Sequence, residues 1–479
     1  MTMRDWRTAV FPLQSLIANS SLLRRPILVF IGLLVLASVA CSLLQGPQQP
    51  IIPTPPPPVS QELTESQATP VALAALPESV AINPVSNVVP KQDLEVQVLL
   101  DSVSQQQLVA YVQTLESFGT RNTFSVTDRS DFGVGAARLW VYNEFLRVGN
   151  GRLQVEFDSF PLDLGGLVTD QQNVVATLRG NGSAPGAVLV TAHYDTRTHD
   201  VNDGTSLAPG ADDNASGVAS MIEMARVLSS QTWNQDIIFI AFAAEEQGRH
   251  GSRHYITDRL LNSADIDGVL NMDIVGGRPG IPQSVRIFSP GPDTSLPRQL
   301  ARYLDFVGGL YLPTFDVTMV DAVDREGRYS DHMTFLDVGI PALRLTESVE
   351  DPNRNHNALD TSDALDYNYL RQITQLNLAV VANMAGAPPQ PAPPTVSPMA
   401  DPGAVILTWP VDPQADGYVL SFRPVGTNDY APFRFVSAEQ AGQVAITDLA
   451  PGTTYALSMA ALTANGRISF FSPEILIQP

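Results

Sequence analysis

Val188-Leu189-Val190-Thr191-Ala192-His193-Tyr194-Asp195 is the stretch that decides how this chain folds. Five uncharged residues, rich in valine, run straight into a histidine and an acid. That is the pattern of a strand buried on both faces whose polar groups emerge at its carboxyl end. Three further runs repeat it. Ile237–Ala243 is followed by Glu245 and Glu246, Val269–Met272 by Asp273, and Ala342–Leu345 by a segment carrying His356. Helical patterns alternate with these strands. Val218, Met221, Ile222, Ala225 and Leu228 fall at helical spacing after the turn Asn214-Ala215-Ser216-Gly217, and a second helix is expected from Tyr367 to Met384. Alternation of this kind predicts an α/β domain with a mostly parallel, doubly wound sheet and flanking helices. Sites in such sheets form beyond the carboxyl ends of the strands, where the polar residues stand.

Composition narrows the chemistry. The chain has 479 residues and a formal net charge of -21, which argues against nucleic acid as a partner. Its one cysteine, Cys41, excludes an intrachain disulfide and any cysteine-rich metal site. A metal would therefore be held by imidazole and carboxylate, the ligands of hard and borderline cations. Only His193, His199, His250, His254, His332 and His356 are available. His250 and His254 are four apart but lack the intervening Glu of a His-Glu-x-x-His motif, and read as surface or pocket-rim residues. His199 lies in a polar loop. The strand ends offer His193, Asp195, Glu245, Glu246, Asp273 and His356, and Asp212-Asp213 lies on the loop that opens the first helix. This set suffices for two ions sharing an anionic bridge, with a nearby carboxylate to deprotonate water.

Four segments resemble the co-catalytic di-zinc aminopeptidases, a group related to glutamate carboxypeptidase and glutaminyl cyclase. They are Thr191-Ala192-His193-Tyr194-Asp195, Pro209 to Gly217 (PGADDNASG), Phe242 to Gly248 (FAAEEQG) and Asn271-Met272-Asp273. The resemblance spans roughly residues 100–385 and implies two zinc ions per chain. It makes Asp212 the carboxylate bridging both ions, with His193 and Asp273 completing one site, Glu246 and His356 the other. Glu245 becomes the general base, and Asp195 the carboxylate that orients His193. It also implies a cis peptide at Asp212-Asp213. Ser330-Asp331-His332 resembles a family segment too. His356, before Asp360-Thr361, better matches the ligand, and Asp331 and His332 are read as shaping the pocket. Tyr329 is a candidate to assist at the oxyanion. The implied activity is hydrolysis of N-terminal residues from peptides. A glutaminyl cyclase-like or carboxypeptidase-like enzyme and a non-catalytic, receptor-like binder are the alternatives.

Outside this domain, residues 1–45 carry Arg24-Arg25, the apolar run Pro26–Ala40 and Cys41. They read as a membrane-targeting segment, either a lipoprotein signal lipidated at Cys41 or an uncleaved signal anchor. Both place the remainder of the chain outside the cytoplasm, tethered to the membrane. Residues 46–91 form a proline-rich spacer, 92–387 the zinc peptidase domain, and 388–394 a second proline-rich linker. Residues 395–479 alternate apolar and polar, with Tyr455 near a strand start, and resemble a fibronectin type III sandwich. That domain lacks catalytic groups and would serve as a spacer or meet an extracellular partner.

Overall fold

The computed structural model describes residues 89–260, 266–428, 430 and 433–479. The membrane-targeting segment expected over 1–45 and almost all of the linker at 46–91 lie outside the described residues.

Among the described residues, eight strands build one sheet: β1 (Leu153–Leu164), β2 (Leu167–Leu178), β3 (Ala187–His193), β4 (Asp236–Phe242), β5 (Ile266–Met272), β6 (Ser284–Phe288), β7 (Asp316–Val320) and β8 (Ala342–Glu347). Their order is β1-β2-β4-β3-β5-β8-β6-β7. The four strands expected from apolar runs are the four adjacent central ones, β4-β3-β5-β8, and they run parallel. Every residue of β3 is buried, as helices on both faces require of a parallel strand. The outer strands were not foreseen and make the sheet mixed. β1 and β2 form an antiparallel hairpin that pairs with β4, and β6 runs antiparallel to β8. Gly165 and Gly166 form the two-residue turn of the hairpin, both at positive φ (63° and 92°), as tight hairpin turns demand.

The helices that cover the sheet are α1 (Leu94–Asp101), α2 (Gln105–Ser117), α3 (Gly133–Gly149), α4 (Gly217–Leu228), α5 (His250–Tyr255), α6 (Leu296–Tyr311), α7 (His332–Leu336) and α8 (Tyr367–Gly386). Side chains start several of them. Asp93 caps α1, Ser104 caps α2, and the Asp366 carboxylate accepts N–H groups of Asn368 and Tyr369 at 3.0 and 3.2 Å to cap α8.

The C-terminal strands are β9 (Thr395–Pro398), β10 (Val405–Thr408), β11 (Gly417–Pro424), β12 (Phe433–Ser437), β13 (Gln443–Ile446), β14 (Tyr455–Leu462) and β15 (Ile475–Ile477). They make two antiparallel sheets, β13-β10-β9 and β12-β11-β14-β15. Leu407, Trp409 and Val444 of one meet Tyr418, Leu420 and Leu457 of the other in a shared core. The Tyr455 hydroxyl accepts the N–H of Ala450 at 3.1 Å, tying the start of β14 to the preceding corner. This sandwich rests directly on the α/β domain. Phe306 of α6 meets Phe433 edge-on at 5.1 Å, and Tyr303 donates to the Ile468 carbonyl at 2.7 Å. Ala387 and Pro388 at the junction are buried.

Candidate metal centre

Each central strand ends by delivering a polar side chain to one spot. His193 is the last residue of β3, and Glu245 and Glu246 follow β4. Asp273 follows β5, and His356 lies on the segment after β8. Several of the connections are held at positive φ: Ala244 (55°), Ile274 (63°) and His356 (61°). A β-branched residue such as Ile274 pays steric strain there, and such strain gathers where side chains must be aimed.

Two clusters result among the described residues. In the first, Nε2 of His193 lies 3.3 Å from Oδ1 of Asp213 and 3.7 Å from Oδ1 of Asp273. In the second, Nε2 of His356 lies 3.1 Å from Oδ2 of Asp213 and 3.5 Å from Oε2 of Glu246. Within each cluster the donor atoms lie within 4.8 Å of one another. Ligands about 2.0–2.2 Å from a zinc stand no more than about 4.4 Å apart, close to this spread. The donors are imidazole nitrogen and carboxylate oxygen, and Oε1 of Glu246 is buried without a hydrogen-bond partner. The residues fit a pair of divalent cations.

The shared carboxylate is Asp213, and the expected bridge, Asp212, belongs to neither cluster. Both backbone N–H groups of the pair donate to Asp360, Asp212 to Oδ1 at 2.8 Å and Asp213 to Oδ2 at 2.9 Å. Pinned this way, the adjacent side chains diverge. Asp212 turns aside and accepts the Gly276 N–H at 2.8 Å, lining a separate cavity with Glu347. The non-proline cis peptide likewise stands one residue later than expected, at Asp213-Asn214. The electrostatics follow the geometry. Burial, with Glu347 and Asp360 nearby, pushes the Asp212 carboxyl well above its usual range. Burial would raise Asp213 too, but hydrogen bonds from His193 and His356 override it and hold Asp213 well below.

Glu245, 9% exposed, lines the same pocket as the clusters. Burial is the main cause that drives its carboxyl well above the usual value, and Asp331 and Glu246 add to it while His193 opposes. Asp195 sits fully buried behind the pair. Its carboxylate accepts the backbone N–H groups of Glu245 and Glu246, each at 3.1 Å, and lies 3.6 Å from Nδ1 of His193. It therefore positions three pocket residues at once. His332 is not at the centre: it is fully buried, and its Nε2 lies 2.8 Å from the Val323 carbonyl. His254 lies 3.2 Å from Asp158, away from the clusters.

The pocket, about 270 Å³, also contains residues that the sequence did not single out. Arg344 stands 3.1 Å from Asp273, and Arg197 donates to Glu246 at 2.7 Å. Arg344 carried a readable signal, a lone charge inside an apolar strand, since a buried charge needs partners.

The profile of peptidase family M28 matches residues 173–381. A probable zinc metalloprotease of Leptosphaeria maculans is 33% identical over 341 residues, covering 63% of this chain and 79% of its own. Another, of Pyricularia oryzae, is 34% identical over 351 residues, covering 64% of this chain and 70% of its own. Among solved structures, the LapA aminopeptidase of Legionella pneumophila aligns at a TM-score of 0.49 and 24% identity, covering 62% of this chain and 76% of that one.

Proposed function

Because the chain belongs to peptidase family M28, we propose that its central domain is a two-zinc aminopeptidase, removing N-terminal residues from peptides. One observation carries the reading: Asp213 presents one oxygen to His193 and the other to His356, so a single carboxylate serves two adjacent donor sets. His193, Asp213 and Asp273 would hold one zinc, and Asp213, Glu246 and His356 the second. Bound there, the ions would supply Lewis acidity, which acidifies water and polarises the scissile carbonyl.

The chain's own residues supply the remainder. Glu245 accepts a proton from the attacking water and returns it to the leaving nitrogen. Burial raises its carboxyl above the usual range, which makes it a stronger proton acceptor than an exposed glutamate. Asp195 fixes the backbone of Glu245 and Glu246, so the base and its neighbouring ligand keep separate orientations. Arg344 and Arg197 offset part of the negative charge gathered at the strand ends. A free N-terminal ammonium would be favoured against this surplus of carboxylates.

The sequence adds a location to this reading. The N-terminal segment would tether the enzyme to a membrane with its catalytic domain outside the cytoplasm, and the C-terminal sandwich is of fibronectin type III kind. Its three- and four-stranded sheets and the Tyr455 hydrogen bond support that description.

The test is zinc content together with hydrolysis of matched free and N-acetylated peptides by the purified chain. Two zinc ions per chain and cleavage of the free peptides alone are expected. Saturation at one ion, or equal rates on blocked and free peptides, would overturn the proposal.

A further inference from the structure

Among the described residues, five arginines stand around the pocket: Arg197, Arg249, Arg325, Arg328 and Arg344. That is a high concentration for a chain with 28 lysines and arginines and a net charge of -21. Three of them are tightly engaged with acids of the protein. Arg344 bridges Asp273 and Asp324, Arg197 holds Glu246, and Arg325 pairs with Glu350. Arg328 is looser, 3.6 Å from Glu350 and with its side chain 38% exposed.

Arg249 differs from the other four. Among the described residues it has no ion pair, and its Nη1 is buried with no hydrogen-bond partner. Its guanidinium lies over the ring of Tyr329, 5.8 Å from the centroid, a contact that steadies the plane of the guanidinium without using its donors. Its backbone is fixed beside the proposed base: the Arg249 N–H donates to the Glu245 carbonyl at 2.8 Å, in a tight turn with Arg249 at φ 61°. The protein thus holds a half-buried, donor-rich cation in the pocket wall that Glu245 also lines, with one buried donor, Nη1, left unpartnered and no acid paired with it among the described residues. A buried donor left without a partner is costly, and the planar fork of a guanidinium matches a carboxylate.

Resting on the peptidase reading above, we propose that Arg249, seconded by Arg328, binds a carboxylate of the substrate beside the scissile bond. The substrates would be peptides that carry such a group there, either as an acidic side chain on the N-terminal residue or as the free C-terminus of a dipeptide. The two sources share one chemistry, and matched substrate pairs separate them.

The experiment uses the full chain loaded with zinc. Glutamyl and glutaminyl anilides differ only in the side-chain charge, and a Leu-Gly dipeptide and its C-terminal amide differ only at the C-terminus. In at least one pair, kcat/KM for the carboxylate member is expected to exceed that of its neutral partner by tenfold or more. Arg249→Gln is expected to cut that ratio by roughly 10- to 100-fold, the scale of a charge-assisted hydrogen bond, while Arg249→Lys retains part of it. Binding of free glutamate against free glutamine is measured alongside, by calorimetry on the same proteins. Ratios near one in both pairs, or a ratio unchanged in Arg249→Gln, overturn the proposal. If no peptide is cleaved yet glutamate binds in preference to glutamine and Arg249→Gln abolishes that preference, the carboxylate site stands and the peptidase reading fails.

Discussion

Nη2 of Arg344 lies 3.1 Å from Oδ2 of Asp273, with the two side chains 1% and 7% exposed. Through Nη1 the same guanidinium donates to both oxygens of Asp324, at 3.0 and 2.9 Å. Burial alone would push the Asp273 carboxyl up, but Arg344, helped by His193, holds it well below its usual value. Arg344 therefore keeps a proposed metal ligand ionised. Arg344→Met leaves two buried carboxylates without their cation, a loss of about 3–5 kcal/mol for a broken buried pair. The expected result is a lowered Tm that persists in chelator, together with weaker zinc retention. An unchanged Tm and zinc content would refute this role.

Asp212 and Asp213 are adjacent and chemically identical, so exchanging each for Asn separates their roles. Asp213→Asn should lose both zinc ions and essentially all turnover, because both clusters use that carboxylate. Asp212→Asn should keep both ions and stay within a few-fold of wild-type activity. Zinc analysis of the two purified variants decides it, and the reverse pattern would restore Asp212 as the bridge.

Glu245 and Glu246 should also fail differently. Glu245→Gln keeps the size of the side chain but cannot accept a proton, so kcat should fall by roughly 10²–10⁴, the usual share of a general base, with zinc content retained. Glu246→Gln weakens one metal cluster, and its activity should partly return with added zinc. Metal loss in Glu245→Gln with full loading of Glu246→Gln would reverse the assignment.

The central strands were legible because burial on both faces leaves an apolar run with no competing pattern, and their ends pointed to His193, Glu245, Glu246, Asp273 and His356. The edge strands were not. β1 is half exposed, alternating in burial along most of its length, and β6 and β7 are five residues each, too short to outweigh a loop reading. The choice between Asp212 and Asp213 was beyond local pattern altogether. It is made by Asp360, some 150 residues away in sequence, whose carboxylate fixes the two N–H groups. Arg344 stood out as a charge inside an apolar strand, whereas Arg197, Arg249, Arg325 and Arg328 lie in connecting segments, where a single Arg is ordinary until the fold sets it beside the site.

Glu347, at the end of β8, gives the fold a pH dependence. Burial is the main cause raising its carboxyl from 4.5 to about 8, opposed by Arg278 and aided by Glu350. The folded state thus holds this proton more tightly than the unfolded chain does. The stability it contributes is fully present below pH 4.5 and is lost as pH rises through about 8, at no more than about 1.4 kcal/mol per pH unit. Glu347→Gln removes the effect, so its Tm relative to wild type should climb between pH 5 and 8. A constant difference across that range would contradict it.

The sandwich should unfold together with the peptidase domain. Arg423 of β11, its side chain fully buried, donates to Glu474 within the sandwich at 2.7 Å and reaches across to Asp293 of the α/β domain at 2.8 Å. Arg302 of α6 meets Asp293 from the other side at 2.6 Å. Across the same interface Tyr303, Phe306, Phe433, Phe470 and Phe471 pack on one another, aromatic side chains that each bury roughly 150–250 Å². Such an interface joins the two parts in one cooperative unit, although seven residues of proline-rich chain are all that link them. Calorimetry of the full chain should give one transition. Truncation after Gly386 exposes the aromatic face of α6, so the shortened protein should lose solubility or melt well below the parent even though every proposed metal ligand remains. Two separated transitions in the full chain, or a truncated enzyme with the parent's Tm, would show that the sandwich is an independent appendage.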